Sequence, residues 1–316
     1  MRPFDLTAPA TVQAALASPG TFLAGGTTLV DLMKLNVMTP SLVVDINTLP
    51  LRGIDASDGL RIGALERMSD IARHPGVYPA ISEALLLSAS QQLRNMASIG
   101  GNLLQRTRCG YFRDVSTPCN KREPGSGCPA ISGANRTHAV LGTSDSCVAT
   151  HASDVAVALV ALDAEIRLAS AAGTRTVRLA DFYRLPGGTP QLENDLQPGE
   201  LITEVVVPRL DWARRSTYVK VRDRQSYEFA ICSAAVALDI RDSRVADARV
   251  AVGGVATRPW RLASVEAALR GGPVTPEAFE EAASLAAEGA RPLPGNAFKV
   301  SLLQRTIVRA LLEGSR

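Results

Sequence analysis

Cys109, Cys119, Cys128 and Cys147, four of the five cysteines in this 316-residue chain, crowd into one basic, Gly/Pro-rich stretch. It begins just after the glycine turn Ser98-Ile99-Gly100-Gly101-Asn102. The thiolate is the metal-binding form of cysteine, and four thiolates are what an iron–sulfur cubane requires. A structural zinc site usually grips with thiols two to four residues apart. Here nine, eight and eighteen residues separate successive cysteines, and no such pair occurs. Disulfides staple small secreted scaffolds, whereas a chain of this length can bury a core without them. Unrelated free thiols favour apolar surroundings, and these lie among Pro118, Gly125, Gly127 and Pro129. The pattern therefore favours a metal cluster beside a nucleotide cofactor, with zinc, disulfides and unrelated thiols as alternatives.

The neighbouring charges agree with that choice. A cubane on four thiolates is an anion, and Arg106, Arg108, Arg113, Lys121 and Arg122 surround it in sequence. Nearby cations and N–H donors raise a cluster's reduction potential, although a run of charge is more often a solvated face. Cys232 lies in the apolar run 229–238 and reads as a core residue. His74 precedes a proline and reads as a turn residue. His138 and His151 bracket the end of the cysteine stretch, where each packs on a cluster or fills a turn. No nucleophile, base and orienter set for hydrolysis stands out.

A second constellation is Leu23-Ala24-Gly25-Gly26-Thr27-Thr28-Leu29, where a strand ends in two glycines and two hydroxyls before a helix. Glycines admit a pyrophosphate to the backbone, and hydroxyls with the free N–H groups of a helix start bond its oxygens. Such turns also arise for purely structural reasons. Neither the spaced dinucleotide glycine signature nor the Lys-Ser/Thr nucleotide loop is present, which disfavours a standard Rossmann or Walker site. The turn at 97–102 again sets small residues and polar donors directly before the cysteines.

Periodicity supplies the elements that position these groups. A helix at 11–17, a strand at 21–24, a helix at 29–35 and a strand at 41–46 form a small first lobe. A second lobe opens at 60–65 and continues through a helix at 81–90, a helix at 154–162 and a strand at 165–168, interrupted by the cysteines. Beyond Pro208, strand-like runs at 217–221, 229–240 and 248–255 precede helices at 276–289 and 301–312. Strands first and helices afterwards predict an α+β third unit, with a boundary near Trp212. A net charge of +3 and 4% aromatic residues argue against nucleic acid. The longest apolar run, 155–162, is too short to span a bilayer, and the amino terminus carries no leader pattern.

Taken together, the motifs resemble the FAD-binding subunits of the molybdenum hydroxylases, the xanthine dehydrogenase and aldehyde oxidoreductase group. LAGGTTLVDLMK (23–34) resembles that family's first pyrophosphate loop and ASIGGN (97–102) its second. SDVAVALVAL (153–162) resembles the helix that follows, and VGGVATRPWR (252–261) a segment of the carboxy-terminal domain. The cysteine stretch resembles the insertion of the periplasmic aldehyde oxidoreductase type, which carries an additional [4Fe-4S] cluster.

The resemblance implies an α+β chain: a two-lobed FAD-binding domain of the PCMH/CO-dehydrogenase-flavoprotein type, then a smaller α+β domain. The domains would run over 1–212, with lobes of about 1–55 and 56–212 and an insertion of about 105–148, and over 213–316. It implies that Ala24, Gly25, Gly26, Thr27, Thr28 and Leu29 wrap the FAD pyrophosphate, closed by Ser98, Gly101 and Asn102. Asp154 would contact the flavin's polar chain, Lys220 would lie near its ring, and Cys109, Cys119, Cys128 and Cys147 would hold the [4Fe-4S] cluster.

The implied partners are a large subunit with the molybdenum cofactor, a small subunit with [2Fe-2S] clusters, and an external electron acceptor. The implied reaction oxidises an aldehyde to a carboxylic acid on the large subunit and passes the electrons through FAD. The compartment would be the periplasm, by co-export with a signal-bearing partner, or the cytoplasm. A zinc-stabilised assembly protein and a stand-alone flavin oxidase are the competing readings.

Overall fold

The computed structural model describes residues 1–316. At the amino end, strand–helix alternation builds a three-stranded parallel sheet with Leu42–Asp45 between Asp5–Thr7 and Thr21–Leu23. Parallel neighbours need crossovers. The helices Val12–Leu16 and Leu29–Lys34 supply them, the first capped by Thr11 Oγ1 accepting from the Ala14 N–H at 3.1 Å.

A five-stranded antiparallel sheet forms the second lobe, in the order Ile54–Asp55, Leu60–Gly63, Leu201–Val207, Glu165–Ser170, Gly173–Arg178. Met68–Arg73, Pro79–Leu86, Gln91–Met96, Ile99–Leu103 and Asp154–Ala161 are its helices. The single helix expected over 81–90 ends at Leu86, and Ala89 takes a positive φ of 47° before the next helix starts behind Ser90. Every residue of Asp154–Ala161 is buried. A helix apolar on all sides must be enclosed on all sides. This one packs against Pro79–Leu86 and also reaches the strands of the third sheet.

That third sheet is antiparallel, in the order Trp260–Arg261, Arg244–Gly253, Cys232–Arg241, Ser216–Val221. Its long hairpin turns through Asp242 and Ser243, with φ of 49° and 59°. Two consecutive positive φ values give the primed turn whose twist matches that of the strands. Helices Ala263–Leu269, Pro276–Ser284 and Phe298–Gly314 complete its core. Cys232 lies fully buried in that core, as expected. The strand expected from residue 229 starts at Cys232: Tyr227 turns the chain with a φ of 54°, and Phe229 is left 42% exposed. The helix expected over 276–289 ends at Ser284, followed by a 3-10 turn, Leu285–Ala287. No helix is long and apolar enough to cross a membrane.

The cysteine stretch is irregular apart from the short helix Gly110–Arg113 and the 3-10 turn Pro129–Ile131. Phe112 and Cys119 pack with Leu32, and so seat the stretch on the helix behind the first glycine turn.

Leu159 is fully buried at the centre of the enclosed helix. Leu159→Ala is expected to destabilise the protein by about 2–5 kcal/mol through the cavity it leaves. Urea unfolding would show this as a lower midpoint, and an unchanged midpoint would mean that the helix is less enclosed than its burial indicates.

Candidate functional site

The two glycine turns meet. A Cβ on Gly25 would stand 2.0 Å from the Met96 carbonyl oxygen and 2.9 Å from Ala97 Cα, so only glycine lets the chains approach this closely. Gly26 has a φ of +71°, in the region that glycine adopts without strain. Thr28 precedes the helix Leu29–Lys34 without spending its hydroxyl on the cap. Ser98 caps the helix Ile99–Leu103, its Oγ accepting from the Gly101 N–H at 3.2 Å.

Two residues that the motifs do not mark tie the turns together. Asn47 donates from Nδ2 to the Ala24 carbonyl at 2.9 Å, and its Oδ1 accepts from Arg67 at 2.9 Å. Arg67 also donates to the Met96 carbonyl. Ala24, Gly25, Gly26, Thr27, Thr28 and Leu29 thus stand beside Ser98, Gly101 and Asn102. The N–H groups of Ile99 and Gly100 are spent on the carbonyls of Glu66 and Ala64, and that of Gly101 on Ser98 Oγ, so the N–H groups left for an anion are those of the first glycine turn, where Leu29 opens its helix.

Asn102 carries the second turn onward. Its Oδ1 accepts from Ser153 Oγ at 2.6 Å, and its Nδ2 donates to Met68 Sδ at 3.3 Å. Ser153 Oγ in turn accepts from the Ala156 N–H at 3.1 Å and caps the enclosed helix. The first residue of that helix, Asp154, is 6% exposed. Its Oδ2 accepts from Lys220 Nζ at 2.8 Å and from Ser88 Oγ at 3.0 Å, and its Oδ1 from the Tyr218 hydroxyl at 2.7 Å. Lys220 also donates to the Leu87 carbonyl at 3.0 Å, and its side chain is 1% exposed. Two residues read separately from the sequence are therefore partners in one buried ion pair. A solvent-facing strand lysine at position 220 is excluded.

A cleft opens beside this pair, lined by Asp154, Ser153, Arg108, Phe229, Ser233 and Gly254 among others. Arg108 stacks over the Phe229 ring at 5.0 Å. Arg108 Nε and Ser233 Oγ are buried without a hydrogen-bond partner. Buried polar atoms are rarely left unpaired, so these are two open positions for a polar ligand such as the flavin. Motif reading missed Ser233, because a serine inside an apolar strand carries no signal of its own.

All four clustered cysteines line one cavity, together with Phe112 and His138. Backbone N–H groups lie near the sulfurs and oppose the effect of burial on the thiols: those of Tyr111 and Phe112 beside Cys109, of Ala130 and Val148 beside Cys128, and of Ala149 beside Cys147. Burial pushes the Cys109 thiol up to about 11 and raises those of Cys128 and Cys147, so a metal must displace protons here. No three His, Cys, Asp or Glu side chains converge closely enough to hold a single metal ion. Four thiols around one cavity, not gathered at one point, suit a group larger than one ion.

The nearby cations also hold the stretch in place, and Lys121, on the cysteine cavity, acts on the Cys147 thiol. Arg106 and Lys121 both pair with Glu193, at 2.6 and 2.9 Å, and Arg108 and Arg113 with Asp31, at 3.0 and 2.8 Å. Arg122 donates to the carbonyls of Tyr111, Phe112 and Thr117. Four of the five stitch the irregular stretch to its surroundings, two cations to each carboxylate, so positive charge is left over beside the thiols, while Arg122 ties the stretch to itself.

Each histidine also has a definite place. His74 Nδ1 accepts from the Gly76 N–H at 3.2 Å in a turn. His151 packs edge-on against Tyr183 at 4.6 Å, and burial holds its pKa down at about 4. His138 Nε2 lies 3.2 Å from Cys109 Sγ, and its pKa is lowered by burial and then by Lys299.

Gly25→Ala is expected to lose most of the bound FAD, because the added methyl drives the two turns apart at the Met96 carbonyl. Flavin absorbance per chain after gel filtration measures this, and full retention would show that FAD does not depend on the close approach.

Two family models cover the chain: the FAD binding domain in molybdopterin dehydrogenase over residues 2–210, and the CO dehydrogenase flavoprotein C-terminal domain over 217–313. The aldehyde oxidoreductase FAD-binding subunit PaoB of Escherichia coli (strain K12) is 47% identical over 95% of this chain and 94% of its own. The glyceraldehyde dehydrogenase medium chain of Sulfolobus acidocaldarius is 31% identical over 92% of this chain and 86% of its own. Among solved structures, a chain of carbon monoxide dehydrogenase from Hydrogenophaga pseudoflava superposes with a TM-score of 0.75 at 26% identity, covering 99% of this chain and 98% of that one. The meeting glycine turns, the paired Asp154 and Lys220 and these matches lead to one conclusion: the chain belongs to the FAD-binding medium subunits of the molybdenum hydroxylase family.

Proposed function

We propose that this chain is the flavin-carrying electron-transfer subunit of a molybdenum-dependent aldehyde oxidoreductase, and that Cys109, Cys119, Cys128 and Cys147 hold a [4Fe-4S] cluster in it. The observation that carries the cluster is the cavity that all four thiols line, with backbone N–H groups near three of the sulfurs. N–H donors stabilise thiolates and raise a cluster's potential, the service an iron–sulfur site needs. The aldehyde assignment rests on 47% identity to an aldehyde oxidoreductase subunit across nearly the whole of both chains. Family membership sets aside the zinc-stabilised assembly protein, for which the glycine turns would be turns only.

Bound FAD supplies exchange between one-electron and two-electron carriers, and the cluster supplies one-electron storage or relay. The chain's own residues position these groups. The turns at 24–29 and 98–102 bind the pyrophosphate, with Arg67 and Asn47 holding them in register. The Asp154–Lys220 pair and the open donors of Arg108 and Ser233 face the remainder of the flavin. Arg108, on the cleft, is covalently next to Cys109, on the cluster cavity, so the two sites adjoin along the chain.

The partners in this reading are a large subunit with the molybdenum cofactor, a small subunit with [2Fe-2S] clusters and an external acceptor. We place the division between the FAD-binding and carboxy-terminal domains near Trp212. Periplasmic residence would follow from co-export with a signal-bearing partner, which cell fractionation tests.

Cys119→Ser and Cys128→Ser are each expected to lose the cluster iron while retaining FAD, read by iron and flavin content of anaerobically purified protein. Full iron content in both variants would reject the ligand assignment.

A further inference from the structure

Behind His138 the carboxy-terminal domain reaches into the cysteine stretch. Asn296 is fully buried, and its Nδ2 donates to the carbonyls of His138 and Ala139, at 3.2 Å each. Its Oδ1 accepts from the Leu293 N–H at 2.6 Å. Lys299, in the helix Phe298–Gly314, is also fully buried, with Nζ donating to the Thr137 carbonyl at 2.9 Å and the Gly254 carbonyl at 2.7 Å. Asn135 completes the clamp: its Oδ1 accepts from the Gly295 N–H at 3.0 Å, and its backbone carbonyl from the His138 N–H at 3.0 Å. The backbone at 137–139 is therefore set by side chains of the other domain.

The histidine held there has one polar side-chain contact, Nε2 to Cys109 Sγ at 3.2 Å, while its Nδ1 is buried with no partner. A thiolate ligand only accepts hydrogen bonds, so the proton must sit on Nε2 and point at the sulfur. An imidazole serving only to fill a turn would not be expected to leave its other nitrogen orphaned. Lys299 carries a related imbalance, as its ammonium pairs with two carbonyls and with no carboxylate. Buried charges are ordinarily matched by an opposite charge. A cluster on four thiolates is anionic and would supply it from the far side of His138.

We propose that His138 is a positioning residue for the cluster, donating Nε2–H to the Cys109 sulfur, and that Asn296 and Lys299 of the carboxy-terminal domain hold it there. The inference rests on the cluster reading, and its test separates the two. In the complete complex, His138→Leu removes the donor, His138→Gln presents an N–H from nearly the same place, and Lys299→Met acts from the other domain. Iron and FAD contents and the cluster midpoint potential, from an anaerobic redox titration followed by electron paramagnetic resonance, are the readouts.

His138→Leu is expected to shift the cluster potential to more negative values or to lose iron with FAD retained. His138→Gln should restore much of the difference, and Lys299→Met should shift the potential in the same direction as His138→Leu. Unchanged potentials at full iron content in both His138→Leu and Lys299→Met would overturn the proposal. Absence of cluster iron from the unaltered protein would instead refute the reading beneath it.

Discussion

The Asp154–Lys220 ion pair is the interaction on which the rest of this structure depends. It joins the head of the enclosed helix to the first strand of the carboxy-terminal sheet, and Ser88 and Leu87 close it from the helix Pro79–Leu86. Burying two charges costs several kcal/mol per ion, and the arrangement is tolerable only when the remaining hydrogen-bonding capacity is filled. Tyr218 and Ser88 fill it on the carboxylate, and the Leu87 carbonyl accepts from the ammonium. Losing one partner of such a pair costs about 3–5 kcal/mol, a large part of a typical stability of about 5–15 kcal/mol. One residue earlier, Ser153 is bound to Asn102 of the second glycine turn. Cofactor loop, domain junction and helix cap are therefore one connected network.

The cysteine stretch follows a different physical rule. With only two short helical turns of its own, it cannot satisfy its backbone through secondary structure. It relies on borrowed partners: Asp31 on the first lobe, Glu193 on the second, and Asn296 and Lys299 on the carboxy-terminal domain. Each of the three structural units holds part of the loop that carries the four thiols. That placement fixes the four thiols relative to both glycine turns and to the carboxy-terminal sheet.

Much of this was legible in the sequence because glycine and cysteine carry specific physical meaning. Gly25 and Gly26 marked a place where backbone is approached closely, although the partner expected was a pyrophosphate and the Gly25 neighbour found is the Met96 carbonyl, and the run at 154–162 marked a helix. Four thiols too far apart for zinc knuckles marked a common cavity. Long-range pairing was not legible. Asp154 and Lys220 stood out separately, but a carboxylate and an ammonium 66 positions apart give no sign in a single sequence that they meet. The five basic residues beside the cysteines were legible as neighbours of the thiols, but not their second task, the sharing of Asp31 and Glu193 by four of them that anchors the stretch. Arg67 and Asn47 were missed because each acts through a partner distant in the chain, and Ser233 because a serine inside an apolar strand carries no signal of its own. The strand start at Cys232 and the helix break at Ala89 were misplaced because positive φ at non-glycine residues is imposed by tertiary contacts.

In the proposed function, one chain holds a flavin and an iron–sulfur cluster about a shared junction. Quantifying iron, acid-labile sulfide, zinc and FAD in the anaerobically purified chain tests it most directly. About four iron and four sulfide with one FAD per chain are expected. FAD with neither iron nor sulfide, or zinc in place of iron, would contradict it.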